Sequence, residues 1–243
     1  MLVVEGLTKL YGDRPAVQGL SFRVAPGEIL GLVGPNGAGK TTTLRSLAGI
    51  LPITEGRVTV AGFDLRTEPL LAKARLAFVP DEPALFDYLT VEEHLRFTAR
   101  LYRIADDTDR RSAVLQQFSL SAKRHALADE LSRGMKQKLT LACALIHDPQ
   151  LLLMDEPLTG LDPVGIRQVK DLLSRRAAAG GGIVLSSHQL PLIEELCTRL
   201  IFMHQGRIVA SGTQRELAAA YPDAGGLEAI FLAVTAEGTE ATE

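Results

Sequence analysis

Apolar residues along the chain change their spacing several times, and each change predicts a different element. Short strands are expected over residues 2–7 and 20–24, where apolar and polar residues alternate. The unbroken apolar run Ile29–Val33 predicts a strand covered on both faces, as in a parallel sheet. A glycine-rich loop follows, and then a helix with apolar residues at helical spacing: Leu44, Leu47 and Leu51. The order is therefore strand, loop, helix.

The middle of the chain, residues 90–147, has a helical pattern throughout and predicts a helical lobe. Thr90 and Glu93 have the spacing of a capping box, which marks the start of a helix. The apolar-periodic positions that follow the cap are Val91, Leu95, Thr98 and Leu101.

Strands and helices alternate again after the predicted lobe. A strand is expected over residues 151–154, a helix from Pro163, and a strand over 183–186. One face of that helix carries Ile166, Val169 and Leu173. Strands separated by helices predict a parallel, doubly wound sheet. The last predicted strands, 200–203 and 207–210, are joined as a hairpin through Gln205-Gly206.

Composition narrows the class of protein. The chain has 243 residues, 46% of them apolar and 23% charged, which is typical of one large globular domain or two small lobes. Its net charge is −3 and Lys and Arg do not cluster, so nucleic acid is not expected as a partner. Two cysteines are too few for a disulfide framework and fit a reducing cytosol. No leader and no bilayer-spanning segment are expected.

The glycine-rich loop has the phosphate-loop pattern, and it lies between a buried strand and a helix, as that motif requires. Its residues are Gly34, Pro35, Asn36, Gly37, Ala38, Gly39, Lys40, Thr41 and Thr42. Backbone N–H groups and the helix N-terminus are expected to surround phosphate oxygens. Lys40 is expected to reach the β- and γ-phosphates, and the Thr41 hydroxyl to bind Mg²⁺. A turn that is glycine-rich by chance is disfavoured by these flanking elements.

Two acids end the strand at residues 151–154. Asp155 is the expected metal-side carboxylate, and Glu156 points to the opposite face of the strand. Glu156 is therefore the expected general base for an attacking water. Adjacent acids commonly lie in a solvated loop, but the four preceding apolar residues favour the edge of an active site.

With these motifs, the chain resembles the ATP-binding subunit of ATP-binding-cassette (ABC) transporters over nearly its whole length. The family's signature sequence is matched by residues 131–135, although Arg133 and Met135 depart from it. Ser132 and Gly134 agree with the signature, and at a helix N-terminus they form an anion site. The alternative is that Ser132 only caps its own helix. The resemblance favours an anion site that faces another subunit.

The resemblance also assigns roles to four further segments. Residues 159–162 match the loop that crosses the dimer interface, although a plain turn capping the next helix fits them equally. His188 matches the histidine that contacts the γ-phosphate and orients the water, and Tyr11 matches the aromatic residue that stacks on adenine. A packed tyrosine near a strand end is the alternative for Tyr11. Asp81 stands where the family has a glutamine that contacts Mg²⁺.

The fold implied by the resemblance is α/β. It is a P-loop NTPase core with a mostly parallel sheet, an antiparallel β portion near the N-terminus and an inserted helical lobe. The whole chain, residues 1–243, is then one ABC ATPase domain. The core is expected over residues 1–83 and 148–212, the helical lobe over 84–147, and a C-terminal extension over 213–243.

The implied function is that of a Mg²⁺-dependent ATPase that powers a membrane transporter. Two copies, a homodimer, would hold two ATP molecules between residues 34–42 of one copy and Ser132 and Gly134 of the other. The partner is a separate transmembrane permease, which places the chain at the cytoplasmic face of the membrane. Asp81-Glu82-Pro83, Met135-Lys136-Gln137 and residues 227–232 resemble ABC-2-type exporters.

Four other functions are alternatives to this one. A soluble ABC ATPase acting on ribosomes or DNA would have two cassettes or long coiled coils, whereas 155 − 40 = 115 positions separate Lys40 from Asp155. An importer subunit remains an alternative. A GTPase is disfavoured because no Asn-Lys-x-Asp motif occurs. A non-catalytic subunit is disfavoured because Lys40, Asp155, Glu156 and His188 are all present.

Overall fold

The computed structural model describes residues 1–105 and 108–240, with side chains through residue 234. Its strands are β1 (Leu2–Tyr11), β2 (Arg14–Val24), β3 (Ile29–Val33), β4 (Glu55–Val60), β5 (Phe63–Asp64), β6 (Leu76–Val79), β7 (Leu151–Asp155), β8 (Gly182–Ser186), β9 (Arg199–His204) and β10 (Arg207–Gly212). Its helices are α1 (Lys40–Leu47), α2 (Pro69–Lys73), α3 (Val91–Leu101), α4 (Thr108–Gln117), α5 (Arg133–Leu145), α6 (Pro163–Ala178), α7 (Leu190–Leu196), α8 (Gln214–Ala220) and α9 (Leu227–Glu240).

The strands form two sheets, which confirms the predicted fold class. The larger sheet has the order β10-β9-β3-β8-β7-β6, and only its edge strand β10 is antiparallel to its neighbour. The smaller sheet has the order β2-β1-β4-β5 and is antiparallel. Consecutive parallel strands need crossover connections, and the helices supply them. The hairpin predicted through Gln205-Gly206 is confirmed as β9 and β10.

Apolar residues on the two faces of the larger sheet build two cores. Because side chains alternate along a strand, Leu151 and Leu153 of β7 face one core while Leu152 and Met154 face the other. The first core is shared with α1 and the antiparallel sheet. The second is shared with α3, α5, α6, α7 and α9. Both faces of the strand are therefore covered, as its unbroken apolar run predicts.

Between β6 and β7 the described chain forms α3, α4, α5 and two short 3₁₀ turns, Ser121–Lys123 and Ala128–Glu130, with one isolated β-bridge between Thr90 and Leu127. Loops join these elements, so the stretch is not helical throughout as its pattern predicts. The predicted capping box at its start is confirmed: the Thr90 hydroxyl accepts from Glu93 N at 3.2 Å, and Thr90 N donates to the Glu93 carboxylate at 2.8 Å. Leu101 has the spacing of the buried face of α3, but it is exposed and borders a groove. The division into core and lobe at residues 83 and 147 stays a prediction.

Three features differ from the sequence prediction near the N-terminus. The strands β1 and β2 are longer than the predicted 2–7 and 20–24, because they pair with each other along most of their length. The helix after the phosphate loop ends at Leu47, because Gly49 leaves the helical conformation at a φ of 65°, and Leu51 lies outside it. The strands β4, β5 and β6 were not predicted. They have only six, two and four residues, too few to show a clear hydrophobic period.

The C-terminal part packs onto the domain through α9. Its residues Leu227, Ile230 and Val234 are buried in the core that faces α7 and β9. Residues 241–243, the end of the predicted C-terminal extension, lie outside the described residues. No helix in the described ranges has the length and apolar character needed to cross a bilayer.

Candidate active site

A cavity of about 520 Å³ lies at the carboxyl edge of the larger sheet. Strands β3, β8, β7 and β6 are neighbours in that order, and the segments that follow each of them meet at this edge. The cavity is lined by Ala16, Asn36, Gly37, Ala38, Gly39, Lys40, Thr41, Thr42, Asp81, Asp155, Glu156, Thr159 and His188. Most of the residues that the sequence nominates are therefore brought together.

The phosphate loop surrounds the Lys40 ammonium group with its own backbone. Lys40 Nζ donates to the carbonyl oxygens of Gly34 at 2.6 Å and Pro35 at 3.1 Å. Burial lowers the pKa of Lys40, while the negative charges of Glu156 and Asp155 act in the opposite direction. Gly34 and Pro35 do not line the cavity themselves, but they hold the lysine that does.

Neighbouring strands brace the phosphate loop from behind. A Cβ on Gly34 would lie 2.4 Å from the carbonyl oxygen of Met203 in β9. A Cβ on Gly39 would lie 2.6 Å from the carbonyl oxygen of Ala16 in β2, and Gly39 has a φ of 97°. The turn after β9 adds a hydrogen bond from Gly206 N to Ala38 O at 3.1 Å. The loop conformation therefore depends on glycine and on two other parts of the fold.

Three residues whose oxygen atoms suit a hard cation line the same cavity: Thr41, Asp81 and Asp155. Asp155 is buried, and its Oδ1 accepts from the Ser186 hydroxyl at 2.6 Å. Asp81 Oδ1 is buried and has no hydrogen-bond partner among the residues described. With the Thr41 hydroxyl these groups form a donor set that Mg²⁺ prefers. Among the described residues, no group of three or more His, Cys, Asp or Glu side chains is placed to hold a metal ion. A cation in this cavity would therefore need other ligands as well.

Glu156 is placed by a strained backbone and paired with His188. Its φ of 47° is uncommon outside glycine and asparagine, and its N–H donates to Ser186 O at 3.2 Å. Glu156 Oε1 lies 3.0 Å from His188 Nδ1. The imidazole is largely exposed while the carboxylate is largely buried, so the pair lies at the mouth of the cavity. A base held by an orienting partner is the arrangement that proton abstraction requires.

Besides Gly34 and Pro35, three nominated residues lie outside the cavity. The Ser132 hydroxyl accepts from Met135 N at 3.3 Å and so caps α5, which is the alternative that the sequence left open. Gly134 lies against the loop after Glu156, since a Cβ there would be 2.8 Å from Gly160 O. Tyr11 is 51% exposed at the end of β1, with the Lys9 ammonium 5.2 Å from its ring centre.

The structure adds site residues that sequence reasoning did not select. Ala16 comes from β2, and Ser186 reaches Asp155 from the neighbouring strand. Neither belongs to a motif, because each is placed by sheet register rather than by local sequence. Thr159, which the resemblance assigns to the loop at the dimer interface, lines the cavity three residues after Glu156. Asp162 caps α6 by accepting from Gly165 N at 3.0 Å, which lowers the pKa of its carboxyl group.

Comparison with known proteins decides the family. The family model described as ABC transporter matches residues 17–159. The chain belongs to the ABC transporter family. It is 35% identical over 219 residues to the linearmycin resistance ATP-binding protein LnrL of Bacillus subtilis, covering 89% of this chain and 70% of the relative. It is 42% identical over 213 residues to the Nod factor export ATP-binding protein I of Paraburkholderia xenovorans, covering 87% and 70%.

A solved structure supports the same conclusion. The ATP-binding subunit of an ABC transporter matches with a TM-score of 0.92 at 32% identity, covering 97% of this chain and 99% of that one. The family and the ATPase activity expected from the phosphate loop and the acidic pair are thereby confirmed. The chain is an ABC ATP-binding subunit and an ATPase.

Two glycines of the phosphate loop offer a matched test of how closely β2 packs against that loop. Gly37 and Gly39 both have positive φ, of 81° and 97°, but only Gly39 meets backbone atoms where a Cβ would stand. We expect Gly39→Ala to lower the free energy of unfolding by about 1–3 kcal/mol more than Gly37→Ala, because a crowded methyl adds to the same backbone strain. Urea unfolding of both variants measures the difference. Equal losses would show that the Ala16 carbonyl does not confine the loop.

Proposed function

We propose that this chain is the Mg²⁺-dependent motor of an ABC exporter and works as a head-to-tail homodimer bound to a separate transmembrane subunit. The observation that carries the proposal is the distribution of the nominated residues over the molecule. The phosphate loop, the acidic pair and His188 share one cavity, whereas Ser132 and Gly134 lie outside it. The cavity of one copy therefore has the groups for attack on a phosphate, but the second anion site of that copy lies elsewhere on its surface.

The residues that would hold Mg²⁺ are Thr41, Asp155 and Asp81. Their support is that all three residues line the cavity, and that the buried Asp81 Oδ1 has no hydrogen-bond partner among the described residues. Mg²⁺ commonly takes one or two carboxylates and completes its shell with substrate phosphates and water, which fits a site with few protein ligands. Bound there, the ion would neutralise charge on the triphosphate. Lys40 and the loop N–H groups would share this role.

Hydrolysis would use Glu156 as the base. The carboxylate takes a proton from water, whose oxygen bonds to the γ-phosphorus while the bond to the β–γ bridging oxygen breaks. His188 Nδ1 lies beside Glu156 Oε1, so the ring fixes the carboxylate and is itself free to contact the γ-phosphate. Asn36, Gly37, Ala38, Gly39 and Thr42 line the cavity and would bind the phosphates. Gly34 and Pro35, which were also nominated, would instead hold Lys40 through their carbonyl oxygens. Tyr11 would stack on the adenine.

Dimerisation would bring Ser132 and Gly134 to the triphosphate bound by the other copy. Ser132 stands at the exposed N-terminus of α5, a helix of 13 residues, where backbone N–H groups attract anions. The contact would close the cavity and exclude water from the reacting groups. After hydrolysis the two negatively charged products repel each other, and the copies separate.

A groove next to the cavity is suited to the transmembrane partner. It has a volume of about 500 Å³ and lies between the segment after β6 and the helices α3 and α5. Exposed apolar side chains border it: Ile50, Phe86, Phe97 and Leu101. Exposed apolar surface of this kind marks an interaction site. Pro80 and Ala84 line the groove, and Asp81 lines the cavity, so one short segment serves both.

Export is supported by the two relatives described above, whose names refer to linearmycin resistance and Nod factor export. Their identity to this chain extends over most of its length, which favours transport over action on ribosomes or DNA. With the groove occupied, the chain would be held at the cytoplasmic face of the membrane by its partner.

The role of Glu156 is tested by Glu156→Gln. Because the amide cannot take up a proton, we expect turnover of ATP to fall roughly 10²- to 10⁴-fold while ATP still binds. Steady-state ATPase measurements and calorimetric titration with ATP give the two quantities. Glu55→Gln, at an exposed acid outside the cavity, should leave both unchanged. Unchanged hydrolysis in Glu156→Gln would contradict the assigned role.

The contact across the dimer is tested by Ser132→Ala in the Glu156→Gln background, where slow hydrolysis preserves the closed state. We expect ATP-dependent dimers to be lost in sedimentation equilibrium, with ATP binding by the single copy retained. Thr213→Ala is the matched control, because Thr213 also caps a helix by accepting from Glu216 N at 3.2 Å and lies outside the cavity. Loss of binding by the single copy would contradict a role for Ser132 in the second copy's site.

The groove is tested by Phe97→Asp, which places a charge on its apolar rim. We expect the chain to leave the membrane fraction after cell lysis, while the purified variant keeps its ATPase activity. Leu70→Asp is the control, since Leu70 is 83% exposed and lies outside the groove. Retention of the Phe97→Asp variant in the membrane fraction would count against the groove as the docking site.

A further inference from the structure

A buried amide connects α5 to the loop that carries the proposed base. Gln137 is 1% exposed, and its Nε2 donates to the carbonyl oxygen of Pro157 at 3.1 Å. Pro157 directly follows Glu156, and Gln137 lies about one helical turn beyond the α5 N-terminus at Ser132. The bond therefore joins the helix that bears the second anion site to the backbone that presents the base.

The amide is not explained as ordinary core packing. Gln137 Oε1 is buried and has no hydrogen-bond partner among the described residues, which costs stability. A methionine of similar length would fill the same space without that cost. The feature that only the amide supplies is the hydrogen bond to Pro157.

The backbone at Glu156 needs such support because it is strained. Glu156 has a φ of 47°, a conformation that persists only where the surroundings fix it. Its N–H bonds to Ser186 O on the strand side, and its carbonyl accepts from Thr159 N at 3.1 Å. Gln137 holds the chain at the next residue, from the side of α5.

Two further contacts join α5 to the same loop. Lys138 Nζ lies 3.5 Å from Asp162 Oδ1, and Gly134 packs closely on Gly160. The contact at Gln137 is the one made next to Glu156. A displacement of α5 therefore reaches the base most directly through this hydrogen bond.

We propose that Gln137 is a positioning residue that fixes the Glu156 backbone and transmits the docking of Ser132 on the second copy's nucleotide to the base. This inference rests on the proposed function. Contact of the second copy with the N-terminus of α5 fixes the position of the helix. The Gln137 amide then fixes the position of the Glu156 carboxylate. Hydrolysis is thereby favoured only when the other copy is in place.

The test is Gln137→Met in the full chain, with ATP and Mg²⁺. We expect kcat to fall roughly 10- to 100-fold, because a small misplacement of the base has a large effect on rate. KM and the dissociation constant for ATP should stay within about twofold, because the phosphate loop is untouched. Gln137→Asn keeps an amide that is one methylene too short to reach Pro157. It should likewise lower kcat and leave KM and the dissociation constant for ATP within about twofold.

Gln168→Met is the matched control. Gln168 of α6 also has a buried carbonyl oxygen without a partner among the described residues, and its Nε2 donates to Ser119 Oγ at 3.4 Å. It lies outside the cavity, so turnover should not change. An equal loss in Gln168→Met would show that any buried amide matters for folding alone, and would overturn the proposal.

A double-mutant cycle decides whether Gln137 acts through the base. In the Glu156→Gln background, Gln137→Met should cause no further loss of turnover. The same fold-loss in both backgrounds, a kcat unchanged in Gln137→Met and Gln137→Asn, or a rise in KM alone would each overturn the proposal. Failure of the proposed function looks different, because Glu156→Gln would then itself retain turnover.

Discussion

The order of four parallel strands is the constraint on which the rest of the structure depends. With β3, β8, β7 and β6 side by side, the residues that follow each strand meet at one edge of the sheet. That edge combines opposite charges: Lys40 and the N-terminus of α1 on one side, Asp81, Asp155 and Glu156 on the other. Burial lowers the pKa of Lys40, and the negative charges of Glu156 and Asp155 oppose this effect. A triphosphate with a divalent cation matches such an arrangement.

The sequence predicted those parts of the molecule whose causes are local. The phosphate loop, the acidic pair after an apolar strand and the Thr90–Glu93 cap each depend on residues a few positions apart, and the structure has all of them at the expected places. Ser186 and Ala16 were not selected, and Gln137 was noted only within the resemblance of residues 135–137, because the contacts of all three come from sheet register and helix packing between distant segments. The exposed face of α3 was missed for a similar reason. Periodicity identifies an apolar stripe but does not distinguish a core from a groove.

In the proposed dimer a single copy contains an incomplete site, and the placement of Ser132 supports this proposal. Ser132 already satisfies one N–H group of α5, while the helix N-terminus remains exposed and distinct from the cavity. The remaining N–H groups are the kind of donors that an anion satisfies. The α/β core and the helices of residues 84–147 thus carry complementary halves of the proposed site. Such a division makes catalysis depend on association.

Helix α5 is one rigid element that contributes to three functional surfaces of the molecule. Its N-terminus carries Ser132, its first turns hold Pro157 through Gln137, and Thr140 and Cys143 line the groove proposed for the membrane partner. A helix of 13 residues transmits displacement along its length because its backbone hydrogen bonds are internal. In the proposed complex, partner binding at the groove would therefore change the positions of Ser132 and Glu156 together. Tight coupling of transport to ATP hydrolysis requires that Ser132 and Glu156 do not move independently. A single helix that contacts both segments meets this requirement without further intermediate elements.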